Sequence, residues 1–290
     1  MLVISNKPGQ LANRLVVFSN FIALSLEHEI PLYDPAFDEY APFFEGTNQG
    51  LLIKNRKPSH FLDRNILQRT ISFKVFNFIS KVFRRLPLFP FLCQSVFLTN
   101  DVEPFILDSE NKLNILKSRK IIFLSGWLFR CPGIVIKHQN FIRNYFTPVK
   151  KYLLNITKTI APIRKEYKTI VGIHIRRGDY KTFQNGRYFY EIEDYYKIMQ
   201  KISEIFDSEN TAFLICSNEN IDTEIFKNLN VFKGTGHFVE DLYSLAECDY
   251  IAGPPSTSTM WASFYGQKPL YMIENIDHHL GEASFKIESI

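Results

Sequence analysis

The residues His174, Arg176, Arg177, Gly178, Asp179 and Tyr180 stand within seven positions, directly after an apolar run at 169–175. Val171, Ile173 and Ile175 read as a buried parallel strand. His174 and Arg176 do not, because a core strand seldom spends positions on charge without a partner. Two apart, they project to one side of the strand. Arg177 follows at the strand's end, and Gly178 lets the chain turn. Paired guanidiniums present forked donors that match phosphate oxygens bidentately. The chemistry implied is a grip on a diphosphate, with Asp179 either orienting an arginine or acting on the substrate. The plainer alternative is an Arg177–Asp179 ion pair closing a loop.

Two further segments could serve such a grip. Pro8-Gly9-Gln10-Leu11-Ala12-Asn13-Arg14-Leu15 is a turn that opens a helix, where free N–H groups and the positive dipole end favour an anion. Alone, it would be an ordinary helix start. Ser256 and Thr257 stand at a strand-to-helix turn of the same kind, readable as an anion site or as an N-cap. Asp241 precedes them; a carboxylate can accept from both N1–H and N2–H of guanine, a match adenine cannot offer.

His174 to Tyr180 resembles the hallmark motif of the α1,2-fucosyltransferases and is similar to that of the α1,6- and protein O-fucosyltransferases. The resemblance implies that Arg176 binds the β-phosphate of GDP-fucose, with His174 at the nucleotide and Arg177 in support. Gly9, Asn13 and Arg14 match the family's Gly-Gly-Leu-Gly-Asn-Gln/Arg loop, from which Gln10 and Ala12 depart. Ser217-Asn218-Glu219 after a strand resembles its second motif. The stretch from Asp241 to Ser256 resembles its third, in which the aspartate reads guanine and strand-end hydroxyls hold the diphosphate. The resemblance covers 1–34 and about 120–275, leaving 40–119 unmatched as a region that helps choose the acceptor. It implies a GT-B-like α/β fold, two Rossmann-like doubly wound domains facing across a cleft.

The implied reaction is an inverting transfer of L-fucose from GDP-β-L-fucose to a glycan hydroxyl, α1,2-linked on a galactoside, in cell-surface polysaccharide or glycolipid synthesis. Arg176, Asp179 and His174 are the catalytic candidates. Gly9, Asn13, Arg14, Arg177, Ser217, Asp241, Ser256 and Thr257 join His174 and Arg176 as donor-binding candidates. Asp34, Asp38 and Glu45 rival Asp179 as the acceptor's base. No Asp-x-Asp triad occurs, so no metal or other cofactor is required, and His278-His279 lacks a third ligand. Trp127 and Trp261 read as core or cleft-lining aromatics. The rivals are a same-fold glycosyltransferase with another donor and a non-catalytic nucleotide- or glycan-binding module.

These residues need a scaffold that brings strand ends together. From 169 onward, strands are predicted at 169–175, 212–217, 231–233, 250–253 and 269–273. Helices alternate with them at 193–206, 223–228, 239–248 and 257–265, the pattern of a parallel sheet with right-handed crossovers. Ligands bind at the carboxyl ends of such strands, where every motif above falls. The N-terminus reads β-α-β: a strand at 2–5, a helix carrying Leu15, Phe18, Ile22 and Leu26, and a strand at 30–33. Another strand is predicted at 120–127, leading into a helix within 128–150. A boundary is expected near 150–168, where Pro148, Pro162 and several lysines interrupt the pattern, giving domains 1–150 (acceptor side) and 151–290 (nucleotide sugar).

Charge is uneven. Nine basic residues between Lys54 and Arg85 face only Asp63, so that segment carries +8 within a chain of net +4. The spacing predicts a basic amphipathic helix within 54–92, ended by Pro87 and Pro90. It either packs on the core with a solvated face or docks on an anionic membrane. Nucleic acid is disfavoured, since no stacking or groove-reading motif accompanies the charge. Cys93, Cys131, Cys216 and Cys248 form no CxxC pair, which excludes a zinc or disulfide framework and suits a reducing compartment. The N-terminus lacks signal-peptide features, and no run approaches the ~20 apolar residues of a membrane span. The expected location is cytoplasmic, peripheral at the inner face of the membrane.

Overall fold

The computed structural model describes residues 1–86, 92–98, 103–118, 120–277 and 279–290. The chain divides into two compact units, Met1–Val149 with Ile290, and Lys150–Ser289. Among the described residues the first unit contains β1 (Leu2–Ile4), β2 (Leu32–Tyr33), β3 (Leu52–Lys54), β4 (Lys57–Ser59), β5 (Cys93–Phe97), β6 (Phe105–Ile106), β7 (Ile121–Ser125) and β8 (Phe129–Arg130). One sheet runs β4-β3-β2-β1-β7-β5 and a second pairs β6 with β8. β1 is parallel to β2 and β7, and β5 to β7, whereas β3 and β4 add an antiparallel edge.

The helix Leu11–His28 follows β1 and is buried nearly all round, as a helix in the middle of a unit must be. Two of its buried polar residues are tied to backbone groups. Asn20 donates to Val16 O (2.9 Å) and accepts from the Cys131 N–H (2.6 Å), and Ser25 Oγ donates to Ile30 O (2.7 Å).

The basic segment divides in two. Lys54, Arg56 and Lys57 lie on the β3–β4 hairpin, whose turn residues Asn55 and Arg56 both have positive φ, the geometry that matches strand twist. The amphipathic helix starts only at Ile66, capped by Asn65, which accepts from the Gln68 N–H (2.9 Å), and runs to Arg85. Pro87 and Pro90 lie outside the described residues.

The second unit opens with the helix Lys150–Glu166, which runs through Pro162. The division between the units falls ahead of this helix, at 149/150. Five strands follow: β9 (Thr169–Ile175), β10 (Thr211–Ser217), β11 (Asn230–Lys233), β12 (Tyr250–Gly253) and β13 (Leu270–Met272). Their order is β11-β10-β9-β12-β13 and every pair is parallel. β9 and β10 are mostly apolar because both faces are covered. Val171, Ile173, Phe213 and Ile215 pack with Tyr195, Ile198, Met199 and Ile202 of the helix Ile192–Ile205. Phe213→Ala in that cluster would cost about 3–5 kcal/mol. The strand order reverses between β9 and β12, and such a switch point is where open α/β sheets bind ligands.

Candidate active site

The carboxyl ends of β9 and β12 meet at the switch point. His174 lies near the end of β9, so close to Gly253 of β12 that a Cβ there would stand 3.0 Å from the His174 Cβ. Just beyond, the Tyr180 hydroxyl donates to Pro255 O (2.6 Å), clasping the 176–180 turn to the segment before Ser256. Sequence residues 75 positions apart thereby share one strand-end surface.

The two arginines have separate partners. Asp179 holds Arg176 in a fork, Nε to Oδ1 at 3.2 Å and Nη2 to Oδ2 at 2.7 Å. The Arg176 guanidinium also stands 4.8 Å over the Tyr180 ring. Its backbone N–H donates to the Tyr195 hydroxyl (3.3 Å). Arg177 instead pairs with Glu191 (2.6 Å) at the start of the helix Ile192–Ile205. The Arg177–Asp179 pair weighed from sequence is therefore replaced by Arg176–Asp179. The reason is directional: the strand end points Arg176 and Asp179 to one side, and Arg177 to the other, beside Phe189 (5.3 Å). Asp179 takes two of the five guanidinium donors of Arg176, and the Nη1 donors have no hydrogen-bond partner among the described residues. The hydrogen bond from Arg176 holds the Asp179 carboxyl below the usual carboxylate range.

Burial, reinforced by the Arg176 charge and opposed by a hydrogen bond with the Cys216 backbone, pushes His174 down to about 4. The ring is neutral at physiological pH. Its Nε2 is buried and has no hydrogen-bond partner, an arrangement that costs free energy unless something else supplies one.

Ser256 caps the helix Thr257–Gly266: its Oγ accepts from the Thr259 N–H (3.1 Å) and lies 3.1 Å from Thr259 Oγ1. The hydroxyl expected to hold phosphate is thus committed to the cap. What the turn offers an anion is the helix's first-turn N–H groups and its dipole.

A cavity of about 360 Å³ opens at the carboxyl ends of β10 and β11, lined by residues including Ser217, Asn218, Glu219, Gly234, Thr235 and Asp241. Asp241 Oδ1 accepts from the Thr235 N–H (2.7 Å), and Gly236 N lies 3.2 Å from both carboxylate oxygens. Burial raises the Asp241 carboxyl, partly offset by these hydrogen bonds. Gly234 is required here, since a Cβ would lie 2.5 Å from Asp241 Oδ1. Ser217 Oγ accepts from the Glu219 N–H (3.1 Å), and Glu219 accepts from the Gly178 N–H (2.9 Å), linking the cavity rim to the arginine turn.

In the first unit, Gly9 has φ +56°, and a Cβ there would strike the Asn13 side chain. Arg14 is buried, its guanidinium spent on Gly9 O (3.2 and 3.3 Å), Ala36 O (3.2 Å) and Glu39 (2.5 Å), 4.7 Å from the Tyr40 ring. It ties the loop down. Among the alternative bases, Asp34 is buried, and burial raises its carboxyl to about 8 against the Ala36 N–H and Arg14. Asp38 is buried against Lys7 (2.6 Å), and Glu45 is exposed. Trp261 is wholly buried, a core residue, whereas Trp127 is half-buried beside Arg130. His278 lies outside the described residues, among which no group of three or more His, Cys, Asp or Glu side chains could hold a metal ion.

Sequence reasoning missed the supporting residues Glu191, Tyr195, Thr235 and the Pro255 carbonyl. The glycines flanking Thr235 after β11 were a turn signal; Glu191 left none.

A doubly wound unit with a basic, partly unpartnered strand end at its switch point is a scaffold suited to holding an anionic ligand. The chain belongs to glycosyl transferase family 11, whose model matches residues 87–288. That span includes 87–119, which the sequence resemblance left unmatched, and excludes the Gly9–Arg14 loop. The fold is similar to that of fucosyltransferase NodZ from Bradyrhizobium (13% identity, TM-score 0.60, 96% of each chain covered). It is also similar to a mutant of Arabidopsis thaliana FUT1 in complex with GDP (12%, 0.57, 94% of this chain and 70% of that one). A third neighbour is POFUT1 in complex with GDP (10%, 0.51, 93% and 97%). No match is found among curated protein sequences. The neighbours support the GT-B-like class expected from the motifs.

Proposed function

We propose that the protein is an inverting fucosyltransferase that moves L-fucose from GDP-β-L-fucose to a glycan hydroxyl, forming an α1,2 linkage to a galactoside without a metal. The observation that carries the reading is the pairing of a buried, unpartnered His174 Nε2 with an Arg176 guanidinium whose Nη1 donors remain available, both at the β9–β12 switch point. The neighbours' complexes support the same donor: NodZ has been soaked with GDP-fucose, and POFUT1 holds GDP.

In this mechanism, the acceptor hydroxyl oxygen bonds to the anomeric carbon as the bond to the β-phosphate oxygen breaks. The sugar becomes oxocarbenium-like, negative charge grows on the β-phosphate oxygens of the departing GDP, and the hydroxyl proton passes to that GDP or to solvent. Arg176, oriented beforehand by Asp179, stabilises that charge, and the first turn of the helix Thr257–Gly266 adds its dipole. The cavity beside Asp241 takes the base. Its volume suits a small ring system, and turn donors already fix the carboxylate's position. Asp179 acts as orienter of Arg176: both its oxygens are engaged and its carboxyl is held low, which suits a base poorly.

The test is a donor screen with the purified chain. GDP is expected to raise Tm, and GDP-fucose to yield fucosylated acceptor from a panel of galactosides. Stabilisation by UDP or CMP but not GDP would overturn the donor assignment. GDP binding without transfer to any acceptor, and without GDP-fucose hydrolysis, would favour a non-catalytic nucleotide-binding module.

A further inference from the structure

The helix Ile66–Arg85 is inside out. Its inward face docks through polar groups. Arg69 is buried and its Nε donates to Asp63 O (2.9 Å), Ser72 Oγ meets the Tyr33 hydroxyl (2.6 Å), and Ser80 Oγ lies 2.9 Å from Ser5 Oγ. Asn77 donates to Ser5 O (2.6 Å), and Phe76 and Phe83 reach Phe123 of β7. The opposite face, one 3.6-residue stripe, carries Leu67, Ile71, Val75 and Phe78, which are 66%, 51%, 46% and 67% exposed. Surface helices of soluble domains show the reverse arrangement. Exposed Lys74, Lys81 and Arg85 share this face, and the helix contains no acidic residue.

We infer that this face is a docking surface for an anionic lipid bilayer, with the helix lying in the interface plane. The charge complementarity is specific. The segment from Lys54 to Arg85 carries +8, while the rest of the chain is net negative. A second copy of the chain would set two such blocks against each other, which like-charge repulsion disfavours. An anionic leaflet attracts each basic side chain, and apolar side chains sunk beside the headgroups add the hydrophobic term. No helix among the described residues is long and apolar enough to cross a membrane, so the contact lies on the surface. The inference is independent of the donor assignment.

Cosedimentation of the full chain with vesicles tests it. Phosphatidylglycerol–phosphatidylcholine vesicles are expected to bind at least tenfold more tightly than pure phosphatidylcholine, with the difference shrinking as salt is raised. The combined variant Leu67→Ser, Ile71→Ser, Phe78→Ser should lose about tenfold in vesicle affinity, as should Lys74→Gln, Lys81→Gln, Arg85→Gln. All positions are exposed, so Tm and the GDP response should stay as in the parent chain. Equal binding to both vesicle types, or no binding to either, overturns the proposal. So does a dimer in sedimentation equilibrium that Phe78→Ser abolishes, which would assign the face to a second copy.

Discussion

The turns after β1 and after β9 start from the same materials and end differently. Each follows the first strand of its sheet, one with parallel neighbours on both sides, and each contains an arginine that matches a family motif. Arg14 is buried, and its guanidinium is used within the fold, on Gly9, Ala36 and Glu39. Arg176 gives two donors to Asp179 and keeps the rest at the strand end. An arginine in a motif is therefore not a ligand contact by virtue of the motif. What separates the two is how many of the five donors the protein itself consumes, which the sequence does not state.

The contrast can be broken most directly at Arg176. Arg176→Ala is expected to lower kcat/KM by about 10²–10³, the usual loss for one donor to a charged transition state, with Tm nearly unchanged. Unimpaired turnover would remove the site from β9. Arg14→Ala should do the opposite: a Tm loss corresponding to about 2–3 kcal/mol, from the unsatisfied carbonyls of Gly9 and Ala36, with KM for GDP-fucose moved less than stability. A large KM change in a chain of normal Tm would make Arg14 a contact after all.

Smaller effects sharpen the roles at β9. Asp179→Asn keeps one acceptor for the guanidinium, so a drop in kcat of about tenfold is expected with the pH profile unchanged in shape; a base would lose far more and lose the acidic limb. His174 supplies a signal in stability and not in turnover. Its folded pKa, near 4, lies below its unfolded value of about 6.5. The unfolded chain therefore takes up the proton first as pH falls. Stability from this group is complete above about 6.5 and declines between 6.5 and 4, by on the order of 2–3 kcal/mol. Denaturant titrations over that range should show the decline, and His174→Gln should flatten it.

Much of the second unit was legible. The apolar runs of β9 and β10, and the helices Ile192–Ile205, Phe238–Glu247 and Thr257–Gly266, follow from periodicity, because a doubly covered parallel sheet leaves little freedom. The helix expected at 223–228 is only a 3-10 turn, Thr223–Phe226. The first unit resisted for equally physical reasons. β2, expected at 30–33, is cut back to Leu32–Tyr33. The β3–β4 hairpin has Asn55-Arg56 at its turn, and the second of these carries no turn signature. The apolar spacing at 66–85 was readable, but not which face looks inward, because Ser72 and Ser80 bury themselves through hydroxyls 39 and 75 positions away. Within the site, His174 and Arg176 stood out as charge at a strand end, whereas the partnership of Arg177 with Glu191 joins residues that no local rule connects.

The clasp between Tyr180 and Pro255 bears on how fast a ligand can arrive. Because the hydroxyl bridges the two strand-end segments through a contact within the chain, their relative placement is set when the sheet folds. Nucleotide capture then needs no separate loop-ordering event, and a single association phase, linear in GDP concentration, is the expected kinetic form. Tyr180→Phe uncouples the segments while keeping the ring beneath Arg176, so in that chain the site must be assembled at each encounter.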